Sequence, residues 1–345
     1  MTTRLRLAEV NRIRYQRGTA VLLFLTDRCP VGCLHCSVDS RRDGPRVRDH
    51  ELLRDIVGSL AGYERLSMVG ISGGEPFIER RALSEAVSTL AAAGKQVVLY
   101  TSGVWARANP VPQWIATVLA QVSCLFMSTD AFHAATVDGD RFVAALRAVA
   151  DQGTPIVVQV LNRPDDMAEA RQLLSTAFGP EWEAYAEINP LVPLARGRGA
   201  AVFERPAAGQ GQSFGGCRVA ATPVVRYDGA VTACCNEGLI MGHGPDRLRE
   251  RHSTGQQVVD ALERVWADPF LRLLNASGTA ALTAHPRYAD MASQSYRGIC
   301  DFCAHAQRRT PALGRDDDRL LAGLATLAEA GGLRPVEPAE EVTAR

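Results

Sequence analysis

Short apolar runs alternate with amphipathic stretches through the first half of the chain. Val21–Leu25, Leu66–Gly70, Val97–Tyr100, Cys124–Ser128, Ile156–Val160 and Tyr185–Ile188 read as buried strands. Between them, apolar residues recur at helical spacing. Leu52, Leu53, Ile56, Val57 and Leu60 make one face, Trp114, Ile115, Val118 and Leu119 a second, and Phe142, Val143, Leu146 and Val149 a third. After a long first unit the strands return about every thirty residues, the length of a βα unit in a parallel sheet. Six units predict an α/β fold, an open partial (β/α)6 TIM-like barrel, because a complete eight-unit barrel takes about 250 residues.

From Phe203 the pattern changes. The stretch ERPAAGQGQSFGG is a loop or linker signal. A hairpin is expected next, with Tyr227, Asp228 and Gly229 turning between Thr222–Arg226 and Ala230–Ala233. A helix is predicted from Gly255 to Leu274, with Val258, Leu262, Val265, Trp266 and Phe270 on its apolar side. Leu320, Leu321, Leu324 and Leu327 mark a last amphipathic helix before a tail with Pro and Glu, read as solvated. These changes divide the chain into residues 1–202 (partial barrel), 203–312 (a small α+β unit) and 313–345 (helix and tail).

Composition narrows the function. Hydrophobic residues make up 46% and charged residues 22%, which is ordinary for a globular chain. Lys+Arg and Asp+Glu balance at 38 each, which argues against coating nucleic acid or an acidic membrane. No apolar run approaches the ~18 residues of a membrane span, and the opening residues show no export signal. The expectation is a cytoplasmic protein with no membrane or nucleic-acid partner. Its nine cysteines are the exception to this ordinary picture. A cytoplasmic chain of this size does not need disulfides, and most of its thiols are grouped, which points to metal.

The segment FLTDRCPVGCLHCSVDS places Cys29, Cys33 and Cys36 directly after the first strand, where loops of parallel α/β layers gather active sites. Three thiolates fall short of the four a structural zinc or a closed cluster takes. An iron–sulfur cluster with one open iron fits that count, and zinc with His35 as fourth ligand is the alternative. The second strand leads into Ser72-Gly73-Gly74-Glu75-Pro76. There two glycines permit close backbone approach and the carboxylate can hold an ammonium group.

On these two motifs the chain resembles the radical S-adenosylmethionine (radical SAM) superfamily. The resemblance implies that Cys29, Cys33 and Cys36 hold a 4Fe–4S cluster whose open iron chelates S-adenosylmethionine. It puts His35 near the adenine, and Gly73, Gly74 and Glu75 at the methionyl amine. Ser102 stands where the family often has asparagine, a departure from the Thr-Asn-Gly pattern. Ser128 and Asp130 would meet the ribose; Gln159 and Asn162 lie near the end of the fifth strand, and Leu191 would touch the adenine. His133 fits a helix start or substrate pocket. The implied chemistry is reductive cleavage to a 5′-deoxyadenosyl radical, with the electron from a donor such as flavodoxin or ferredoxin.

Cys217, Cys234, Cys300 and Cys303 make a second set, enough for a closed cluster. Their C-x11-G-x4-C and CxxC spacings resemble the twitch form of the SPASM domain, which implies one auxiliary 4Fe–4S cluster; zinc is the alternative. Cys235, beside Cys234, is open between alternative ligand, inert neighbour and hydrogen-atom donor. A donor implies epimerisation, whereas oxidation through an auxiliary cluster implies dehydrogenation or a new bond. Cys124 reads as core. Three readings of the whole remain: an enzyme acting on a sugar, aminocyclitol or nucleoside, which the sequence favours; a ribosomal-peptide maturase with any leader-binding partner separate; and a non-catalytic iron–sulfur carrier. Asp130, His133, Glu187, Asn189, Arg196 and Arg198 are the candidate polar pocket residues.

Overall fold

The computed structural model describes residues 2–106 and 111–331. Six parallel strands form the centre of one sheet: β1 (Ala20–Phe24), β2 (Met68–Ser72), β3 (Gln96–Thr101), β4 (Cys124–Ser128), β5 (Ile156–Leu161) and β6 (Ala186–Leu191). They lie in sequence order, as successive βα crossovers dictate. The expected strands are all present. β2 begins two residues later than its apolar run, because Leu66 N–H bonds back to Tyr63 and Lys95 ties both carbonyls into the turn. The sheet stays open at β6, as the six-unit count predicts.

Strand alternation separates two faces. Val21, Leu23, Val69, Ile71, Val97, Leu99, Leu125, Met127 and Val158 point into the main core. Three helices reach that core through their apolar faces: α2 (His50–Gly62), α3 (Arg80–Ala92) and α4 (Gln113–Gln121). α6 (Gly139–Ala150) and α7 (Pro164–Phe178) complete this layer. Asp49 and Asp138 accept from N–H groups in the first turns of α2 and α6 and so set their starts. The other face is covered at its lower end by α1 (Leu7–Tyr15), whose Val10 packs with Ala20, Met68, Val98, Cys124 and Phe126. Cys124 is core, as its strand position predicts.

A two-residue strand β7 (Gly209–Gln210) follows β6. The expected hairpin then forms as β8 (Val224–Arg226) and β9 (Ala230–Thr232), with β10 (Arg249–Arg251) beside β9. β8 runs parallel to β1, so the sheet has nine strands in the order β10-β9-β8-β1-β2-β3-β4-β5-β6. Val225, Tyr227, Val231, Val258, Leu262 and Trp266 continue the main core across residue 203.

The long helix predicted from Gly255 is two helices, α9 (Gly255–Ala267) and α10 (Pro269–Ser277). Asp268 accepts from Leu271 N–H and Pro269 occupies the first helical position, so the pair ends one helix and starts the next. A second core gathers around Phe270, Leu274, Tyr288 and Phe302. It takes in α10, α11 (Thr279–Thr283), α12 (Ile299–Gln307) and α13 (Arg319–Glu329), while β11 (Ser295–Tyr296) pairs with β7. The Pro- and Glu-bearing tail read as solvated falls in residues 332–345, outside the described residues. Among the described residues no helix is long and apolar enough to cross a membrane.

Candidate active site

The loop after β1 is held from two sides. On one side the glycine turn after β2 approaches it closely, with Gly74 N–H on Thr26 O at 2.6 Å and Glu75 N–H on Arg28 O at 2.9 Å. A Cβ at Gly74 would lie 2.1 Å from the Arg28 carbonyl oxygen, so only glycine allows this contact. On the other side Arg198 donates to Cys33 O at 2.9 and 2.7 Å, to Ser40 O and to Asp39, while its own N–H bonds Cys36 O. Gly197 makes that second approach possible: its φ is +53°, and a Cβ there would lie 2.4 Å from Ser37 O.

Glu75 is buried, and each of its oxygens is engaged. Oε1 accepts from Thr101 Oγ1 at 2.8 Å and Phe77 N–H at 3.2 Å. Oε2 accepts from Ser102 Oγ at 2.6 Å and Ser102 N–H at 2.9 Å. Burial raises the Glu75 pKa, and the bonds from Ser102, Thr101 and Phe77 oppose that rise. Ser102 thus serves Glu75 directly, and Thr101, which sequence reasoning passed over, shares the task. Burial, and after it the Glu75 charge, push the Cys29 thiol up to about 12. A bound metal would remove that proton, since coordinating thiols ionise.

Asp130 joins His35 and His133. Its carboxylate lies 3.3 Å from His35 Nε2 and 3.0 Å from His133 Nδ1, and it caps α5 (Ala131–Ala134). Burial alone would raise the Asp130 carboxyl, but the adjacent imidazoles of His133 and His35 hold it well below the usual range. These three residues bring one ligand atom each within 4.8 Å of one another. The carboxylate bridging two imidazoles accounts for the spacing. His35 packs on Phe132 at 4.7 Å between centroids, and its Nδ1 is buried without a partner. Ser128, Gln159 and Asn189 align in register across β4, β5 and β6, half-buried on the face opposite the main core. Leu191 ends β6 at 36% exposure.

Three of the candidate pocket residues are engaged elsewhere. Glu187 accepts from Leu7 N–H at 2.9 Å, Arg196 pairs with Glu237 at 2.7 Å, and Arg198 braces the cysteine loop. An unanticipated buried group stands beside that loop. Arg226 reaches Asp27 with both terminal nitrogens, at 3.1 and 2.8 Å, and Tyr227 donates to the same carboxylate at 2.7 Å.

Three of the four thiols of the second set lie in or against the second core, and Cys300, half-buried, is within electrostatic reach of Cys217. Cys217 belongs to it and Cys234 and Cys303 pack against it. Burial raises the Cys234 thiol well above its ordinary value and Cys303 to about 12; neighbouring cysteines add to the rise in each. Cys235 diverges from them. It packs against Phe24, Val224 and Ile240, on the face of β1 away from the helix layer, and Arg14 Nη2 lies 3.5 Å from its sulfur.

Residues 23–175 match the model described as the Radical SAM superfamily. That stretch of the chain is similar to radical SAM domains. Such a domain implies a 4Fe–4S cluster and S-adenosylmethionine, and the donors present fit: three soft thiols on one braced loop, next to a buried carboxylate. The chain is 26% identical over 116 residues to YydG of Bacillus subtilis (strain 168), named as a peptide biosynthesis protein, covering 33% of this chain and 36% of that one. It is 29% identical over 178 residues to the PqqA peptide cyclase of Xanthomonas euvesicatoria pv. vesicatoria (strain 85-10), covering 48% and 45%. The chain thus spans less than half the length of each of these relatives. Among solved structures, native anSMEcpe with bound AdoMet and Cp18Cys peptide is similar at a TM-score of 0.48 and 13% identity, covering 89% of this chain and 99% of that one.

Proposed function

We propose that this chain is a radical SAM enzyme with an auxiliary cluster, and that it epimerises a residue of a peptide substrate. In this reading Cys29, Cys33 and Cys36 hold the catalytic 4Fe–4S cluster, Cys217, Cys234, Cys300 and Cys303 hold the auxiliary one, and the bound cofactors supply a 5′-deoxyadenosyl radical. Glu75, with Gly73 and Gly74, receives the methionyl amine; Thr101 and Ser102 fix the carboxylate that does so. His35, Ser128, Asp130, Gln159 and Leu191 line the rest of the cofactor site. The observation that carries the reading is the divergence of Cys235 from its neighbour: Cys234 packs on the second core, while Cys235 packs against Phe24, Val224 and Ile240 on the face of β1 away from the helix layer. A thiol so placed can return a hydrogen atom to a substrate carbon, inverting a stereocentre without net oxidation. Both curated relatives carry peptide names, which favours a peptide as the substrate. A division of the chain near residues 202 and 312, with β8–β10 added to the first unit's sheet and α13 to the second core, the cytoplasmic location and a flavodoxin- or ferredoxin-type electron donor belong to the same proposal.

A second reading rests on the count of four cysteines, which suits a single auxiliary cluster and the oxidation or epimerisation of a sugar, aminocyclitol or nucleoside. Anaerobic incubation in heavy water with candidate peptides and small molecules separates the two. The first reading predicts deuterium at one peptide α-carbon with no other mass change. A loss of two mass units from a small molecule, or deuterium at one of its carbons, with peptides untouched, would replace it with the second.

A further inference from the structure

Arg14 lies on α1, which covers the lower end of the open face of the sheet, 221 residues away from Cys235. Helix α1 is short and its packing into the sheet rests on Leu5, Val10 and partly buried Leu7 and Ile13. Arg14 contributes to neither of these apolar contacts. Its guanidinium turns toward the interior and donates to the Cys235 sulfur at 3.5 Å. Tyr100 stands on the same face and packs on Phe126, with ring centroids 4.8 Å apart and planes tilted by 33°. Gly70 makes room for it: a Cβ there would lie 3.5 Å from the Tyr100 ring and 3.0 Å from Leu22. Tyr100 and Cys235 are both within electrostatic reach of Arg14. All three are half-buried.

Two adjacent thiols, both packed on apolar side chains, therefore differ in one partner. Cys234 packs against an apolar core among other cysteines. Cys235 has a fixed cation donating to its sulfur, and arginine keeps its charge at any working pH. Charge-assisted donors hold their partners more firmly than neutral ones.

We propose that Arg14 is a positioning residue that keeps the Cys235 sulfur on the open face of the sheet, presented to substrate and withdrawn from the cysteine set around Cys234. This rests on the donor reading of Cys235. In that reading the Cys235 S–H bond breaks, its hydrogen atom forms a C–H bond with a substrate carbon radical, and the sulfur is left one electron short. One electron from a reduced iron–sulfur carrier and one proton from solvent restore the thiol. A thiol that swings to the other side of its backbone cannot complete the first step.

The test compares wild type, Arg14→Met and Arg14→Lys as anaerobically reconstituted protein. Labelling of Cys235 by iodoacetamide, mapped by mass spectrometry, is expected to slow about fivefold in Arg14→Met, because the sulfur loses its presented position. Arg14→Lys, which keeps a cation of similar reach, restores it. Deuterium incorporated from heavy water per 5′-deoxyadenosine formed falls about tenfold in Arg14→Met. Should Arg14→Met fail to fold, Arg14→Gln is the substitute for both readouts. Unchanged labelling in the folded variant would overturn the proposal. Cys235→Ala separates the two layers: if it leaves deuterium incorporation intact, the donor reading fails, while the labelling rates still judge the role of Arg14.

Discussion

The two cysteine regions are built differently. The first is a loop of irregular backbone held by other backbone: Thr26, Arg28, Cys33, Cys36 and Ser40 all offer carbonyls to the glycine turn or to Arg198. The second is a packed core, in which Cys217, Cys234 and Cys303 sit against Phe270, Leu274 and Phe302. Close backbone contacts place a loop within tenths of an ångström and tolerate no added atom. Packed cores tolerate adjustment but lose stability by area. A site that must aim a reactive species benefits from the first construction, and a site that must only retain a cluster is served by the second.

The largest effect that would break this contrast is at Gly74. Gly74→Ala places a methyl group 2.1 Å from the Arg28 carbonyl and should displace the loop. Iron analysis should then fall to about four from about eight per chain, the expected total for two 4Fe–4S clusters, with the second region intact. Cys217→Ala should give the reciprocal result, a loss of about four irons with 5′-deoxyadenosine formation retained. Loss of all the iron in either variant would mean that the regions are one site.

Arg226→Met tests how the regions are joined, because Arg226 stands on β8 and Asp27 on the cysteine loop. It would leave Asp27 buried with only Tyr227 as donor, a cost of about 3–5 kcal/mol read by chemical denaturation. Ser102→Ala removes the 2.6 Å bond to Glu75 and should cost about 1–3 kcal/mol, seen as weaker S-adenosylmethionine binding by calorimetry.

Acid gives the smallest separation. Asp318 accepts from Leu321 N–H at the start of α13, with His285 and Arg287 also paired to it, and these hold its carboxyl below the ordinary value. A depressed acid contributes stability above its unfolded pKa of about 3.9 and loses it as pH falls through the folded one. Amide exchange along α13 should therefore rise below about pH 4. Asp130, held lower by two histidines, should release the first region only at more acidic pH.

How much of this could be read from the chain follows from sequence distance. The six strands, the thiol loop and the glycine turn declare themselves within a few residues, through periodicity and spacing. The pairs Asp27–Arg226 and Arg14–Cys235 are 199 and 221 residues apart, and no local pattern marks them. Arg198 was visible only as a polar residue. The neighbouring glycines Gly197 and Gly199 signalled that backbone passes close there, and that signal could have revealed its role. The break at Asp268–Pro269 was also legible, since an acidic cap before a proline starts a helix. The apolar face running across it concealed the boundary.

We propose that the loop of Cys29, Cys33 and Cys36 makes this chain a radical SAM enzyme, and 5′-deoxyadenosine formation under anaerobic reducing conditions tests it, comparing wild type with the triple Cys29→Ala, Cys33→Ala, Cys36→Ala variant. Wild type should form 5′-deoxyadenosine and methionine, and the variant neither, while keeping the irons of the second region. Continued formation of 5′-deoxyadenosine by the variant would contradict the claim.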